Sequence, residues 1–252
     1  MTDLSVTIIT WNEEGHLRES LESVAWAREI VVVDSGSSDK TMEIAREFTD
    51  KILFHPWAGY AAQKNYAVAQ ATSPWILSLD ADEVVSPELR GEIQCVLAHD
   101  GPGDGYFIPR NNLFLGRFLR HGGLYPDLQL RLFRRGRGAF RQTRVHEVVE
   151  VDGPVGSLRA PLIHESYRSI GDFVARADRY STLAAEQALE QGRTGRLTTC
   201  LLRPLGRFAS MYLLRRGFLD GGHGLLVAVL YSYYVFLREA KLWEFTRLRR
   251  AM

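Results

Sequence analysis

The stretch Glu29-Ile30-Val31-Val32-Val33-Asp34-Ser35-Gly36-Ser37-Ser38-Asp39 decides the fold. Four β-branched residues in a row, without polar alternation, describe a strand buried on both faces, as in a parallel sheet covered by helices. The run ends at a carboxylate and enters a Ser/Gly/Asp turn able to cap a helix over 40–49. Upstream, 4–10 is a short β-rich run closed by Trp11-Asn12-Glu13-Glu14-Gly15, and Leu17, Leu21 and Val24 follow at helical spacing. Downstream, the pattern predicts a strand at 52–54, a helix at 61–71 and a strand at 75–79. That last strand runs into Asp80-Ala81-Asp82-Glu83, and Pro87 opens a helix over 87–98. Strands alternating with helices in this order predict a doubly wound α/β sheet, where ligands collect at the carboxyl ends of the strands. The polar clusters at 11–14, 34–39 and 80–83 each follow a strand, so they are expected to share one crevice.

The 252 residues, 46% apolar and 24% charged, suit one large α/β domain or one domain with an appendage and exclude wholesale disorder. Two cysteines argue against a disulfide framework or a structural Cys-zinc site and for a reducing compartment. The first ten residues carry no basic region, and their apolar run is too short for a signal peptide. Charge is divided. Residues 1–104 hold seven Lys/Arg against 18 Asp/Glu, and residues 105–252 hold 24 against 12. Nearly all the later cations are Arg, which suits an anionic partner.

Beyond Pro102-Gly103 the pattern changes. Short β-like pieces at 106–109, 128–133 and 146–151 are separated by Gly and Arg, and from 169 the chain reads as helical (172–191, then 197–220). The run 225–237 is apolar apart from Ser232 and is flanked by Arg215, Arg216, Arg238 and Lys241. It is shorter than the roughly 20 residues a bilayer span needs. A buried core helix, an interfacial helix and an oligomer contact all remain open. The expected organisation is an α/β domain over 1–168 (1–104 binding the donor, 105–168 facing the acceptor) and a basic, apolar helical region over 169–252.

Asp80 and Asp82, two residues apart at the end of a buried strand, can point to one side and share a hard divalent cation. The alternative is a turn that caps the helix at Pro87. Asp34, at the end of the Val-rich strand, can accept from a ribose hydroxyl or a base N–H. Lys64 can approach a nucleotide or its pyrophosphate. Neither Gly-x-Gly-x-x-Gly nor Gly-x-x-x-x-Gly-Lys-Ser/Thr is present, which removes the main support for a dehydrogenase or a P-loop NTPase.

The set Thr10-x-Asn12-Glu13, Val33-Asp34-Ser35-Gly36-Ser37-x-Asp39-x-Thr41, Gln63-Lys64-Asn65 and Asp80-x-Asp82-Glu83 resembles family 2 glycosyltransferases of the GT-A fold. Within that family it is most similar to the lipopolysaccharide core β-1,4-glucosyltransferase group. A weaker likeness continues through Tyr125-Pro126-Asp127, Val145-His146-Glu147, Leu162-Ile163-His164 and Gly217-Phe218-Leu219-Asp220-Gly221. The resemblance implies a GT-A (Rossmann-like, mostly parallel) sheet flanked by helices. It implies donor binding by Thr10, Asn12, Glu13, Asp34, Gly36, Lys64, Asp80 and Ala81, and a Mg²⁺ or Mn²⁺ ion held by Asp80 and Asp82. The Gln-x-x-Arg-Trp processivity motif is missing, so one sugar per turnover is expected.

Inverting transfer needs a base for the acceptor hydroxyl. Asp127, Glu147 and Glu165 qualify, with Glu147 favoured by the position of the base in the family. His164 or His146 could complete the metal shell, and Gln129, Arg131 and His146 are candidate acceptor contacts. The implied reaction moves one sugar, glucose first, from a nucleotide-sugar (UDP-sugar first) to a lipid-linked saccharide acceptor, the heptose/Kdo region of the lipopolysaccharide inner core. The enzyme would be cytoplasmic, in peripheral contact with the inner membrane, with homo-oligomers possible and no nucleic-acid partner. Transfer to a polyprenyl phosphate or a protein side chain, and a non-catalytic nucleotide-binding scaffold, are the alternatives.

Overall fold

The computed structural model describes residues 2–99, 101–142, 147–167 and 169–251. Two compact units emerge: Met1–Asn111 with Asp127–His164, and Asn112–Pro126 with Glu165–Met252.

In the first unit, β1 (Thr2–Thr10), β2 (Ala27–Asp34), β3 (Ile52–Phe54) and β4 (Trp75–Asp80) form the parallel part of a mixed sheet in the order β3-β2-β1-β4. The helices α1 (Leu17–Val24), α2 (Thr41–Arg46) and α3 (Tyr60–Gln70) connect them, and α4 (Pro87–Ala98) follows β5 (Glu83–Val85). Val31, Val32 and Val33 are each fully buried, as a strand covered on both faces requires. Such side chains contribute about 1.5–3 kcal/mol each. The sequence-based elements match closely, except that α2 is shorter than the expected 40–49 and the Asp-x-Asp segment is not continuous strand. The chain turns after Asp80 and re-enters the sheet as β5, because Glu83 is drawn into a buried ion pair described below.

Beyond β4 the strands β6 (Gly105–Phe114), β7 (Arg117–Phe118), β8 (Asp127–Arg134), β11 (Val155–Ser157) and β12 (Leu162–Tyr167) extend the sheet, with β8 beside β4 and β12 beside β5. This part is antiparallel, apart from β11, which pairs in parallel with β6. A separate hairpin pairs β9 (Gly138–Gln142) with β10 (Glu147–Val151). Asn65 of α3 anchors it, donating to the Phe140 carbonyl and accepting from the Phe140 N–H, both at 2.8 Å.

The second unit contains α5 (Ile170–Glu190), α6 (Leu197–Phe208), a π-helical turn at Ala209–Leu214, a 3₁₀ turn at Gly217–Asp220 and α7 (Gly221–Ala251). The run 225–237 lies inside α7, and among the described residues no helix is long and apolar enough to cross a membrane. Residues 112–126, read from the sequence as part of the first domain, belong here instead. Phe114 and Leu119 pack with Phe173, Met211 and Val227. Asp220 accepts from the His121 N–H at 2.8 Å and pairs with its Nδ1 at 3.0 Å.

Candidate functional site

The strand register brings the expected polar clusters together. Thr10 of β1 lies opposite Asp34 of β2, and its neighbour Ile9 lies opposite Asp80 of β4. Adjacent strands are about 4.8 Å apart, so three carboxyl-terminal tips stand side by side with β1 in the middle.

At the β2 tip, Asp34 is buried and accepts from the N–H groups of Gly36 (2.8 Å) and Ser37 (2.9 Å) and from the Ser37 hydroxyl. Gly36 has φ of +103°, a conformation a side chain would strain, which lets the loop fold back over the carboxylate. Across from it, Asn12 sits at φ +55°, which Asn tolerates. Its backbone N–H donates to Ser37 Oγ, and its Oδ1 accepts from the Ser38 N–H. The Glu13 N–H donates to Thr41 Oγ1, and its carboxylate pairs with His16 at 2.9 Å. The β1–α1 and β2–α2 loops therefore brace each other. Thr10 Oγ1 is buried there without a hydrogen-bond partner among the described residues.

Three successive residues of α3 reach three separate places. Gln63 Nε2 donates to Ser35 Oγ (2.6 Å) and the His55 carbonyl (2.9 Å), and its Oε1 pairs with His55 Nδ1. Lys64, 1% exposed, places Nζ 2.7 Å from Asp80 Oδ1 and 5.3 Å from the centre of the Phe140 ring. Asn65 holds the β9–β10 hairpin as described.

Asp80 is the head of a buried charge chain. Lys64 engages one oxygen and Arg131 donates to the other. Arg131, 4% exposed, also donates to Glu83 Oε1 at 2.6 Å, and Glu83 Oε2 accepts the Asp80 N–H. Arg110 then links Glu83 (3.3 Å) to Asp127 (2.7 Å), and Gln129 donates to Asp127 at 2.6 Å. Asp127, Gln129 and Arg131 alternate on β8 and so share one face. Burial alone would raise the Asp80 carboxyl, but Arg131 and Lys64 hold it well below the usual range. Burial would likewise lower Arg131, but Asp80 and Glu83 keep it more firmly protonated than a free guanidinium.

Asp82 faces a different partner. The register of β12 against β5 sets His164 opposite Glu83, and His164 Nε2 lies 3.2 Å from Asp82 Oδ2. Burial raises the Asp82 carboxyl, and the hydrogen bond and charge of His164 more than reverse that. Among the described residues no group of three or more His, Cys, Asp and Glu side chains is gathered as a metal cluster. Asp80 and Asp82, expected together on one strand face, are thus divided between a cationic pair and a histidine.

Other expected residues fall as follows. Ala81 is buried as part of the sheet's apolar core, leaving its backbone for a ligand. Asp127 is ion-paired, with Arg110 on one oxygen and Gln129 on the other. Glu165 lies on β12, half-buried, in the second unit. Glu147 opens β10, but its side chain and all of His146 lie outside the described residues. Sequence reasoning missed Glu83 and Arg110 as members of this network, and the Gln63–His55 contact beside the β2 tip. Arg110 and Asp127 are cross-strand partners 17 residues apart, and no local pattern announces such a pair.

Comparison with known proteins adds to this geometry. The model of glycosyl transferase family 2 matches residues 5–139. The chain is 32% identical over 248 residues to the lipopolysaccharide core biosynthesis glycosyltransferase LpsC of Rhizobium meliloti, covering 96% of this chain and 92% of that protein. It is 31% identical over 259 residues to an uncharacterized glycosyltransferase of Rickettsia felis, covering 97% and 90%. A solved structure, mannosyltransferase PcManGT from Pyrobaculum calidifontis in complex with GDP-Man and Mn²⁺, shares the fold with a TM-score of 0.55. It is 16% identical and covers 96% of this chain and 87% of that one.

Proposed function

The chain belongs to glycosyl transferase family 2, and on that premise we propose that it transfers one sugar, with inversion, from a nucleotide-sugar to a lipid-linked saccharide. Glucose and UDP are the first choices for the donor, and the lipopolysaccharide inner core, its heptose/Kdo region, for the acceptor. The likeness to LpsC across nearly the whole of both chains supports that acceptor class. The reaction would take place at the cytoplasmic face of the inner membrane, with the protein in peripheral contact with it. The observation that carries the reading is the alignment of Thr10, Asp34 and Asp80 at three adjacent strand tips.

In this reading Asp34, fixed by the Gly36 and Ser37 N–H groups, accepts from the ribose or base, and Asn12, Glu13 and Thr10 border the same pocket. Asp82 and His164, a carboxylate oxygen and an imidazole nitrogen 3.2 Å apart, would hold the divalent cation, a pair of donors that suits Mn²⁺ better than Mg²⁺. When bound, such an ion supplies positive charge that eases departure of the nucleoside diphosphate. Asp80, with both oxygens engaged, holds Lys64 and Arg131 at the strand tip and keeps cationic charge beside the diphosphate. Glu147 is assigned as the base that takes the acceptor proton, on its place in Val145-His146-Glu147. The engaged oxygens of Asp127 make it the poorer choice.

A donor screen with purified chain and truncated lipid acceptors, following release of UDP, GDP or ADP with and without Mg²⁺ or Mn²⁺, tests this reading. Acceptor-dependent release of one nucleotide, abolished by chelation, is the expected result. Absence of release with every donor would overturn it.

A further inference from the structure

We propose that the outer face of α6, together with the turn that follows it, docks into the surface of an anionic phospholipid bilayer. This helix is packed with its polar side inward. Cys200 is buried on the side turned to α7, where Arg203 donates to both oxygens of Glu239 (2.8 and 2.9 Å) and Arg207 lies 5.6 Å from the centre of the Tyr231 ring. The opposite side carries Leu197, Leu201, Leu202 and Leu205, exposed by 62, 66, 67 and 66%. At about 100° per residue these four leucines cover an arc of roughly 140°, a continuous apolar stripe. The stripe is extended by Leu213 and Leu214 of the π-helical turn, 56 and 80% exposed.

A helix that met only water would turn such a stripe inward. Here Glu239, 1% exposed and also bound by Arg238, keeps Arg203 on the inner side and fixes the leucines outward. The medium this face suits is apolar, and its charge identifies which one. Residues 191–219 contain six arginines and not one Asp or Glu, and Arg215 and Arg216 stand exposed directly after Leu213 and Leu214. Leucines flanked by cations match acyl chains beneath anionic headgroups, each cation adding to the attraction. A second copy of the chain, by contrast, would bring the exposed Arg215 and Arg216 against themselves across a two-fold contact.

This surface serves the lipid-borne acceptor proposed above, but the docking itself is measured without any sugar. Full-length protein is sedimented with vesicles of phosphatidylcholine alone or mixed with phosphatidylglycerol. Binding to the mixed vesicles only is expected. The double variant Leu201→Gln/Leu205→Gln weakens that binding by about tenfold or more. Arg215→Gln/Arg216→Gln weakens it by about tenfold and flattens its salt dependence, while Val155→Gln, on the first unit, leaves it unchanged. Unaltered transfer by the leucine variant to a detergent-free, delipidated acceptor would show that docking and catalysis are separate properties. Failure of the native chain to bind mixed vesicles, or equal binding by the leucine variant, overturns the proposal. A native dimer that the leucine substitutions dissociate, with vesicle binding intact, would overturn it as well and assign the face to self-association.

Discussion

The two units bury charge to opposite ends. In the first, Lys64, Asp80, Arg131, Glu83, Arg110 and Asp127 form a chain of alternating sign at the strand tips, and the apolar side chains around it are enclosed in the sheet. In the second, Glu239 gathers Arg203 and Arg238 on the inside while leucines of α6 stay outside. An ion pair removed from water does not by itself add stability, since its desolvation costs about as much as the attraction returns. What such a pair does is hold geometry. In the proposed reaction the first network holds oxygens and cations beside the nucleoside diphosphate, and the second holds a helix face outward. The difference shows that the same residue types serve chemistry or orientation according to what surrounds them.

This contrast can be broken most sharply at Asp82. Asp82→Ala is expected to fold normally and to lose about 10³-fold or more in transfer, measured as nucleotide release. Unchanged turnover would remove the Asp82–His164 pair from the reaction. Glu147→Gln is expected to keep donor binding, read by calorimetry with UDP, and to lose about 10²–10⁴-fold in turnover. An active variant would move the role to Asp127 or Glu165.

The structural half of the comparison predicts smaller effects. Lys64→Met strips one of two cations from the half-buried Asp80 carboxylate and is expected to lower stability by about 1–2 kcal/mol, measured by urea denaturation. Glu239→Gln is expected to cost about 2 kcal/mol and to leave transfer to a delipidated acceptor intact, because its partners Arg203 and Arg238 share no residue with the strand-tip network. A loss of transfer equal to that of Asp82→Ala would erase the distinction drawn between the two networks.

The smallest effect concerns Glu29, at the far end of the sheet. Burial raises its carboxyl, but hydrogen bonds from Lys51, Ser5 and Thr72 bring it down to about 2. A folded value below the unfolded one means a stabilising contribution that is complete above the ordinary value of 4.5 and is lost as pH falls toward 2. Glu29→Gln should therefore lower stability by about 1–2 kcal/mol near neutrality, and the difference should vanish in acid. A constant difference across that range would disprove the assignment.

Much of the first unit was legible in the sequence because its signals are local. The apolar run at Ile30–Val33 can only be an interior strand, and polar residues that directly follow strands must sit at their tips. The clusters at 11–14, 34–39 and 80–83 could thus be expected together before any register was known, and the family resemblance added Thr10. Lys64 was legible as a site residue, yet nothing nearby in sequence revealed that it is buried against Asp80. Arg131, expected to face the acceptor, is instead locked between Asp80 and Glu83.

What the sequence by itself determined is the order and burial of β1 to β4, because hydrophobic periodicity and turn chemistry act over a few residues. What only the tertiary structure decided is which charges meet. Arg131 lies 51 positions from Asp80, His164 lies 82 from Asp82, and Arg203 lies 36 from Glu239. A side chain's partner over such separations depends on strand register and helix packing, which arise from the sum of many contacts. The same reason explains why the sequence, read as helical over 197–220, did not single out the leucines of α6, and why only the packed helix shows that they point outward.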